Sequence, residues 1–174
     1  MSIQSSIIGA SGEYLVLSHL LRLGLIAGKT PDFTKDYDIV VLNESGEDSA
    51  PVQVKTSTNR NWMMSKKNEK IITNLVYCFV RFEGENKSEI FVMKSVDVSE
   101  FLKMSYKIWL KVPGRNQRPH KDTNMRKLDS DFKKHFQKTE NLSKYLNEKE
   151  LAFIESHKEG WLERYKFAWE NIKI

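Results

Sequence analysis

The sequence lacks the features that mark several large classes of protein. Its single cysteine, Cys78, has no partner for a disulfide and lies in a strand-like apolar run, which indicates a buried thiol in a cytoplasmic protein. No stretch approaches the roughly 18 apolar residues of a membrane span, and the N-terminus has neither the basic nor the apolar region of a signal peptide. We therefore expect no membrane partner.

Several catalytic motifs are absent as well. The four histidines are scattered, without an H-E-x-x-H pattern or a cysteine pair, which argues against zinc. Residues 9–12 are small but contain neither a G-x-G-x-x-G pattern nor the Lys-Ser/Thr of a phosphate-binding loop, and no G-x-S-x-G elbow occurs. Zinc, nucleotide-binding and serine-hydrolase chemistry thus find little support.

What the sequence does contain suits one globular domain with an anionic partner. At 174 residues and 40% hydrophobic composition, the chain is long enough and apolar enough to form a substantial core. Its formal charge of +5 favours a negatively charged partner. We expect a single domain over residues 1–174, with a core at about 8–112 and a basic loop followed by helices at 113–174.

A polar β-hairpin is the most informative local pattern. Residues 38–42 are short, β-branched and apolar, residues 51–55 alternate apolar with polar, and the intervening 43–50 are polar and turn-forming. If Leu42 faces Pro51, then Asp38 faces Lys55 and lies diagonally from Gln53. Gln53 and Lys55 are two residues apart, so they share one face of their strand. The hairpin therefore brings a carboxylate, an amide and an ammonium group to one edge.

A second carboxylate enters the argument from a predicted helix. Residues 13–24 have a small-residue start and a glycine stop, and five apolar side chains form one broad stripe: Val16, Leu17, Leu20, Leu21 and Leu23. Glu13 falls near the middle of that stripe. It either complements the helix dipole in the first turn or points towards the core, where a carboxylate needs a metal ion or Lys55 as its partner.

A helix with Glu13, a strand headed by Asp38 and a hairpin leading to an x-V-K strand together resemble the PD-(D/E)XK nuclease superfamily. Within it, the closest resemblance is to the archaeal Holliday-junction resolvases and the Mrr-like restriction endonucleases. It covers about residues 8–82 and is strongest at 53–57, Gln-Val-Lys-Thr-Ser. The resemblance implies an α/β fold with a restriction-endonuclease-like core, a central mixed sheet flanked by helices, and a helical C-terminal tail.

The resemblance also implies a role for each residue of the site. Asp38 would be the principal metal ligand, and Glu13 would bind or orient the metal directly or through water. Gln53 would offer its side-chain carbonyl and Val54 its backbone carbonyl, and both are suitable oxygen ligands for Mg²⁺, with Mn²⁺ as a substitute. Lys55 would stabilise the attacking hydroxide and the charge of the transition state.

Gln53 is a departure from the usual pattern, which has Asp or Glu at this position. Some Mrr-like and type I restriction subunits also carry Gln there. With Glu13 and Asp38 ionised, the site has two negative charges instead of three, so we expect weaker metal binding. Asp36 is an alternative metal ligand, because it precedes Asp38 by two residues and shares its strand face if the strand starts early. Asp38 is preferred because it directly abuts the apolar run.

The rest of the chain is also predicted to contain both strands and helices. Residues 74–82 and 89–94 are predicted as a second hairpin, 95–104 as a short helix, and 106–112 as an edge strand or a connector. Residues 142–174 are predicted to be helical, with apolar side chains at helical spacing: Trp161, Leu162, Tyr165, Trp169 and Ile172. That face either packs on the core or forms the interface of a homodimer.

Basic residues concentrate in two segments. From Lys103 to Lys138 there are eleven Lys and Arg against three Asp, a net charge of +8. A second group surrounds Trp62, and such a mixture of basic and aromatic residues suits nucleic acid. An exposed, solvated lysine surface is the simpler explanation for any single residue. The predicted DNA contacts are Arg60, Lys66, Lys67, Lys70, Arg115, Arg118, Lys121, Arg126 and Lys127.

Two functions are consistent with these observations. The first is a Mg²⁺-dependent endonuclease that hydrolyses phosphodiester bonds in DNA. The second is a catalytically silent nuclease-fold module that binds nucleic acid or a protein partner, with Gln53 as the sign of lost metal affinity. The presence of Glu13, Asp38 and Lys55 together favours the enzyme, because a binding module does not need a buried carboxylate beside a lysine.

Overall fold

The structure is a computed structural model that describes residues 3–31, 34, 36–84, 86–114 and 117–174. Its helices are α1 (Ile3–Arg22), α2 (Ser95–Lys111) and α3 (Glu148–Ser156). Its strands are β1 (Ile26–Lys29), β2 (Ile39–Leu42), β3 (Ser49–Ser57), β4 (Asn61–Ser65), β5 (Val76–Glu83), β6 (Lys87–Lys94) and β7 (Met125–Asp129). Among the helices of these residues, none is long and apolar enough to cross a membrane.

Five strands form a central mixed sheet in the order β1-β2-β3-β5-β6. The β3–β5 pair is parallel, whereas β1–β2, β2–β3 and β5–β6 are antiparallel. Strands β4 and β7 form a separate two-stranded sheet. The predicted α/β fold with a central mixed sheet is therefore confirmed, as are both predicted hairpins.

The two faces of the central sheet carry different cores, because alternate residues of a strand point to opposite faces. On the α1 face, Val16 and Leu20 pack in one cluster with aliphatic residues of the strands and with Cys78. The opposite face is aromatic and includes Tyr77 and Phe79 of β5 together with residues of α2. Burial raises the pKa of the Cys78 thiol, as expected for an unreactive core cysteine.

Several sequence predictions need correction. Helix α2 continues to Lys111, so residues 106–112 are neither an edge strand nor a connector. The reason is that buried residues recur at helical spacing well beyond residue 104, through Ser105 and Ile108. Helix α1 begins at Ile3, ten residues before the predicted start. Strands β1, β4 and β7 were not predicted from the sequence.

The C-terminal tail is not one long helix. Only Glu148–Ser156 is α-helical, and the later apolar residues lie in short 3₁₀ turns at Trp161–Tyr165 and Trp169–Asn171. Leu162 and Tyr165 are buried in the aromatic core, while Trp169 packs against the α1-face cluster. These apolar residues therefore pack within the chain. The long C-terminal helix on which the homodimer prediction depended does not form. The homodimer itself stays a prediction.

Candidate active site

A close approach of α1 to β3 positions Glu13. Gly12 is buried, and a Cβ atom at this position would overlap the hydroxyl oxygen of Thr56 and lie 3.1 Å from both Thr56 carbon atoms Cβ and Cγ2. Only glycine permits this approach without a shift of the helix or of Thr56. The next residue, Glu13, is thereby held beside β3, at the edge of the buried helix face and not at its middle as predicted.

The buried face of α1 also differs from the predicted stripe. Val16 and Leu20 are fully buried, but Leu21 and Leu23 are about half exposed. His19, which is not part of the predicted stripe, stacks on Trp169 with 5.6 Å between ring centroids. The difference arises because the C-terminal tail covers one flank of the helix, a contact that the periodicity of α1 alone does not show.

The register of the β2–β3 hairpin differs by two residues from the prediction. Ile39 pairs with Val52 and Leu42 with Ser49, so continuation of the register places Asp38 opposite Gln53 and diagonally from Lys55. The shift follows from a tighter turn. The backbone N–H of Asn43 donates to the Asp48 carbonyl at 3.2 Å, and Gly46 adopts a positive φ of 75°. The three side chains remain neighbours.

Asp38 immediately precedes β2, at the end of the β2–β3 pairing. Its backbone N–H donates to the Val52 carbonyl at 2.9 Å, and its Oδ2 accepts a hydrogen bond of 2.7 Å from the Val54 N–H. The N–H and C=O groups of one residue point to the same side of a strand. The Val54 carbonyl therefore faces the same edge as the Asp38 carboxylate, as a shared metal site requires.

Three predicted site residues interact electrostatically at this edge. Burial raises the pKa of Asp38, the hydrogen bond from Val54 opposes that shift, and the nearby Glu13 carboxylate adds to it. Burial lowers the pKa of Lys55, and the Asp38 carboxylate opposes that shift. Gln53 is 6% exposed and precedes Lys55 by two residues, so both belong to the same face of β3.

Lys29 also lies at this edge, although no motif in the sequence pointed to it. Its Nζ atom lies 2.6 Å from Glu13 Oε2 and 4.8 Å from the centre of the Tyr14 ring, and its charge also acts on Asp38. Strand β1 is only four residues long and contains Ala27 and Gly28, which have low strand propensity. The only sequence signal was a short alternation after Gly24.

The donor set is suited to a hard divalent cation. Glu13 and Asp38 supply carboxylates, Gln53 an amide carbonyl and Val54 a backbone carbonyl, and all four are oxygen ligands of the kind that Mg²⁺ prefers. The two carboxylates repel each other in a half-buried site, and a bound cation would relieve that repulsion. Within the described residues, no three His, Cys, Asp or Glu side chains are grouped to hold a metal, in line with an amide at position 53.

Asp36, the alternative ligand, is arranged differently from Asp38. Its positive φ of 77° breaks the extended backbone before Asp38, so the two residues do not share a strand face. Its Oδ1 pairs with Lys67 Nζ at 2.6 Å, and both side chains are more than half exposed. Both charges act on Lys55, which places this pair at the rim of the site.

The predicted DNA contacts fall into two groups. Lys66, Lys67 and Lys70 are exposed on and beside the 3₁₀ turn Lys66–Glu69, and Arg118 and Lys121 are exposed on the loop after α2. Other residues are engaged with acidic partners: Arg60 pairs with Glu159, and Lys127 lies 2.9 Å from Asp129. Arg115 lies outside the described residues.

Arg126 does not fit the prediction of a DNA contact. Its side chain is 3% exposed, pairs with Glu69 and donates to the carbonyls of Thr123 and Met125 at 2.7 and 2.9 Å. The guanidinium also lies 3.3 Å from the centre of the Tyr106 ring. This arginine therefore links β7, α2 and the 3₁₀ turn Lys66–Glu69, and it is structural in this conformation.

Comparison with solved structures shows a likeness of fold. The chain is similar to Hjc, a Holliday junction resolvase from the archaeal hyperthermophile Archaeoglobus fulgidus, over 83% of this chain and 94% of that one, with 15% identity and a TM-score of 0.40. No protein-family model matches the sequence, and no curated protein matches it. The likeness to the resolvase concerns the fold alone.

Proposed function

We propose that this protein is a divalent-metal-dependent endonuclease that hydrolyses phosphodiester bonds in DNA. The observation that supports this most strongly is the arrangement of Asp38. Its carboxylate is fixed by the 2.7 Å hydrogen bond from Val54, and it interacts with both the Glu13 carboxylate and the Lys55 ammonium group. Oxygen ligands beside a lysine are what phosphodiester hydrolysis requires.

Each residue has a distinct part in the proposed reaction. Asp38, Glu13, the Gln53 side-chain oxygen and the Val54 carbonyl would hold Mg²⁺, with Mn²⁺ as a substitute. When bound, the metal supplies Lewis-acid activation of the phosphate and of a water molecule. Lys55 contributes positive charge where negative charge develops in the transition state. The hydrogen bond from Val54 fixes the Asp38 carboxylate before the substrate arrives.

DNA is the proposed substrate because of the charge around the site. The exposed lysines of the 3₁₀ turn Lys66–Glu69 lie next to the catalytic edge, since the charge of Lys67 acts on Lys55. Arg118 and Lys121 add two exposed positive charges on the loop after α2. Phosphate contacts of this kind bind DNA irrespective of sequence, so we expect no strong sequence preference from these residues.

One observation favours the second candidate function, a catalytically silent module that binds nucleic acid or protein. The Glu13 carboxylate already has a partner in Lys29, and Gln53 removes one negative charge from the site. Two carboxylates and two ammonium groups balance each other without a metal ion. In such a module, the basic surface would bind its ligand and no bond would be cut.

Cleavage assays with paired variants test the nuclease proposal. Asp38→Asn removes the charge of the principal ligand, and Lys55→Met removes the ammonium group. Each is expected to lower the cleavage rate by on the order of 100-fold or more, while DNA binding persists. Asp36→Asn is the matched control, because it removes an exposed carboxylate two residues away and is expected to retain cleavage. Equal activity of Asp38→Asn and Asp36→Asn would contradict the site assignment.

A further inference from the structure

Lys29 reaches the candidate site from the end of β1, where the chain is held to β2 and to the residues before it. In the β1–β2 pair, Lys29 is opposite Ile39, the residue that follows Asp38. The connection is fixed just beyond the strand end, since the Thr30 N–H donates to the Asp38 carbonyl and the Thr30 hydroxyl donates to the Tyr37 carbonyl, both at 3.0 Å. The position of Lys29 relative to Asp38 is therefore determined by backbone pairing.

The ion pair between Lys29 and Glu13 is more than a surface contact. The two atoms are 2.6 Å apart, and the side chains are only 23% and 24% exposed. A partly desolvated pair interacts more strongly than an exposed one, because solvent screens it less. The Tyr14 ring lies 4.8 Å from the same ammonium group and already makes a cation–π contact with it, a contact that can hold the ammonium group when it leaves Glu13.

The charge balance shows what Lys29 does to the site. Glu13 and Asp38 contribute two negative charges to this group of side chains, and Lys29 and Lys55 contribute two positive charges. If position 53 carried Asp or Glu, the group would have a net negative charge, which favours the binding of a cation. With Gln53, the metal must compete with an ammonium group for the same Glu13 carboxylate.

We propose that Lys29 is a built-in counterion of Glu13 that competes with the divalent metal and sets the metal affinity of the site. Metal binding displaces the ammonium group from Glu13 towards the Tyr14 ring. This inference rests on the proposed function in one respect, since it assumes that Glu13 and Asp38 belong to a metal site. It assigns to Lys29 a positioning role and no contact with the substrate.

Calorimetric titration of the protein with Mn²⁺ in the absence of DNA tests this role. Lys29→Gln is expected to tighten Mn²⁺ binding about tenfold, the effect of one unit charge on a divalent ion a few ångströms away in a water-accessible site. Lys149→Gln removes the same charge from an exposed position of α3 and is expected to leave the affinity unchanged. Tyr14→Leu removes the second position of the ammonium group and is expected to weaken binding about threefold.

The outcomes separate this inference from the proposed function. Loss of Mn²⁺ binding in Asp38→Asn would establish the metal site. With that established, unchanged or weaker Mn²⁺ binding by a folded Lys29→Gln variant would overturn the role of Lys29. If the wild type and Asp38→Asn bind Mn²⁺ equally or not at all, the metal site itself is wrong. Opposite effects of Lys29→Gln and Tyr14→Leu would support the competition directly.

Discussion

Replacement of Gly12 by alanine tests how the close approach of α1 to β3 holds the site together. The new methyl group would overlap the Thr56 hydroxyl oxygen and press on the rest of that side chain. Gly9 is the matched control, because it lies in the same helix and a Cβ atom there would meet no heavy atom of the described residues within 4 Å, apart from the adjoining helix backbone. Both changes are Gly→Ala within one helix, so only the packing differs.

The expected effects have opposite signs. Alanine is better than glycine in a helix interior by about 0.5–1 kcal/mol, so Gly9→Ala should stabilise the protein by that amount. Gly12→Ala has the same gain but adds overpacking, which costs about 1–3 kcal/mol. The two variants should therefore differ by about 1–3 kcal/mol in the free energy of unfolding, with Gly12→Ala the less stable.

Urea unfolding of both variants measures this difference through the midpoint and slope of the transition. The double variant Gly12→Ala/Thr56→Ala removes the overlapping oxygen and methyl group, so it should recover part of the stability that Gly12→Ala loses. Cleavage by Gly12→Ala should also fall, because a displaced α1 carries Glu13 away from Asp38. Equal midpoints for Gly12→Ala and Gly9→Ala would refute the account of this contact.

Two further predictions concern a buried carboxylate and the DNA surface. Glu150 is 1% exposed; burial raises its pKa, but hydrogen bonds from Lys111, the Asn147 N–H and Lys107 outweigh burial and lower the pKa to about 2. Because the folded pKa lies below the unfolded value, Glu150 contributes about 3 kcal/mol of stability. That contribution is present above about pH 5 and is lost as the pH falls towards 2. Glu150→Gln should therefore flatten that part of a plot of unfolding free energy against pH, and an unchanged profile would assign the acid sensitivity to other groups. Joint replacement of Arg118 and Lys121 by alanine should make the slope of log DNA affinity against log salt concentration shallower by up to about 1.8. Fluorescence anisotropy at several salt concentrations measures this slope. An unchanged slope would show that the DNA surface lies elsewhere.

Local patterns in the sequence were sufficient to predict much of the central sheet. The hairpins β2–β3 and β5–β6 each join neighbouring segments through polar turns, and such pairings depend on residues close in the chain. The juxtaposition of Asp38, Gln53 and Lys55 follows from one hairpin, so a register error of two residues did not separate them. The glycine stop after α1 was also recognisable.

Contacts between distant segments were not predictable in this way. β4 pairs with β7 across some sixty residues, and nothing in either segment specifies the other. Arg126 was predicted as a DNA contact because it lies in a positively charged stretch, but Glu69 and Tyr106 enclose it. Lys29 was overlooked because its strand is short and contains glycine, so its pairing with β2 depends on tertiary context.

The most direct test of the central claim is a cleavage assay on plasmid, branched and single-stranded DNA with the wild type and Gln53→Glu, over a range of Mg²⁺ and Mn²⁺ concentrations. Gln53→Glu adds a negative charge at a ligand position and should tighten metal binding. We predict that the wild type cuts at least one of these substrates, and that Gln53→Glu cuts it at an equal or higher rate when Mg²⁺ is limiting. If both proteins bind these DNAs but leave all of them intact with either metal, the nuclease proposal is contradicted and the binding module takes its place.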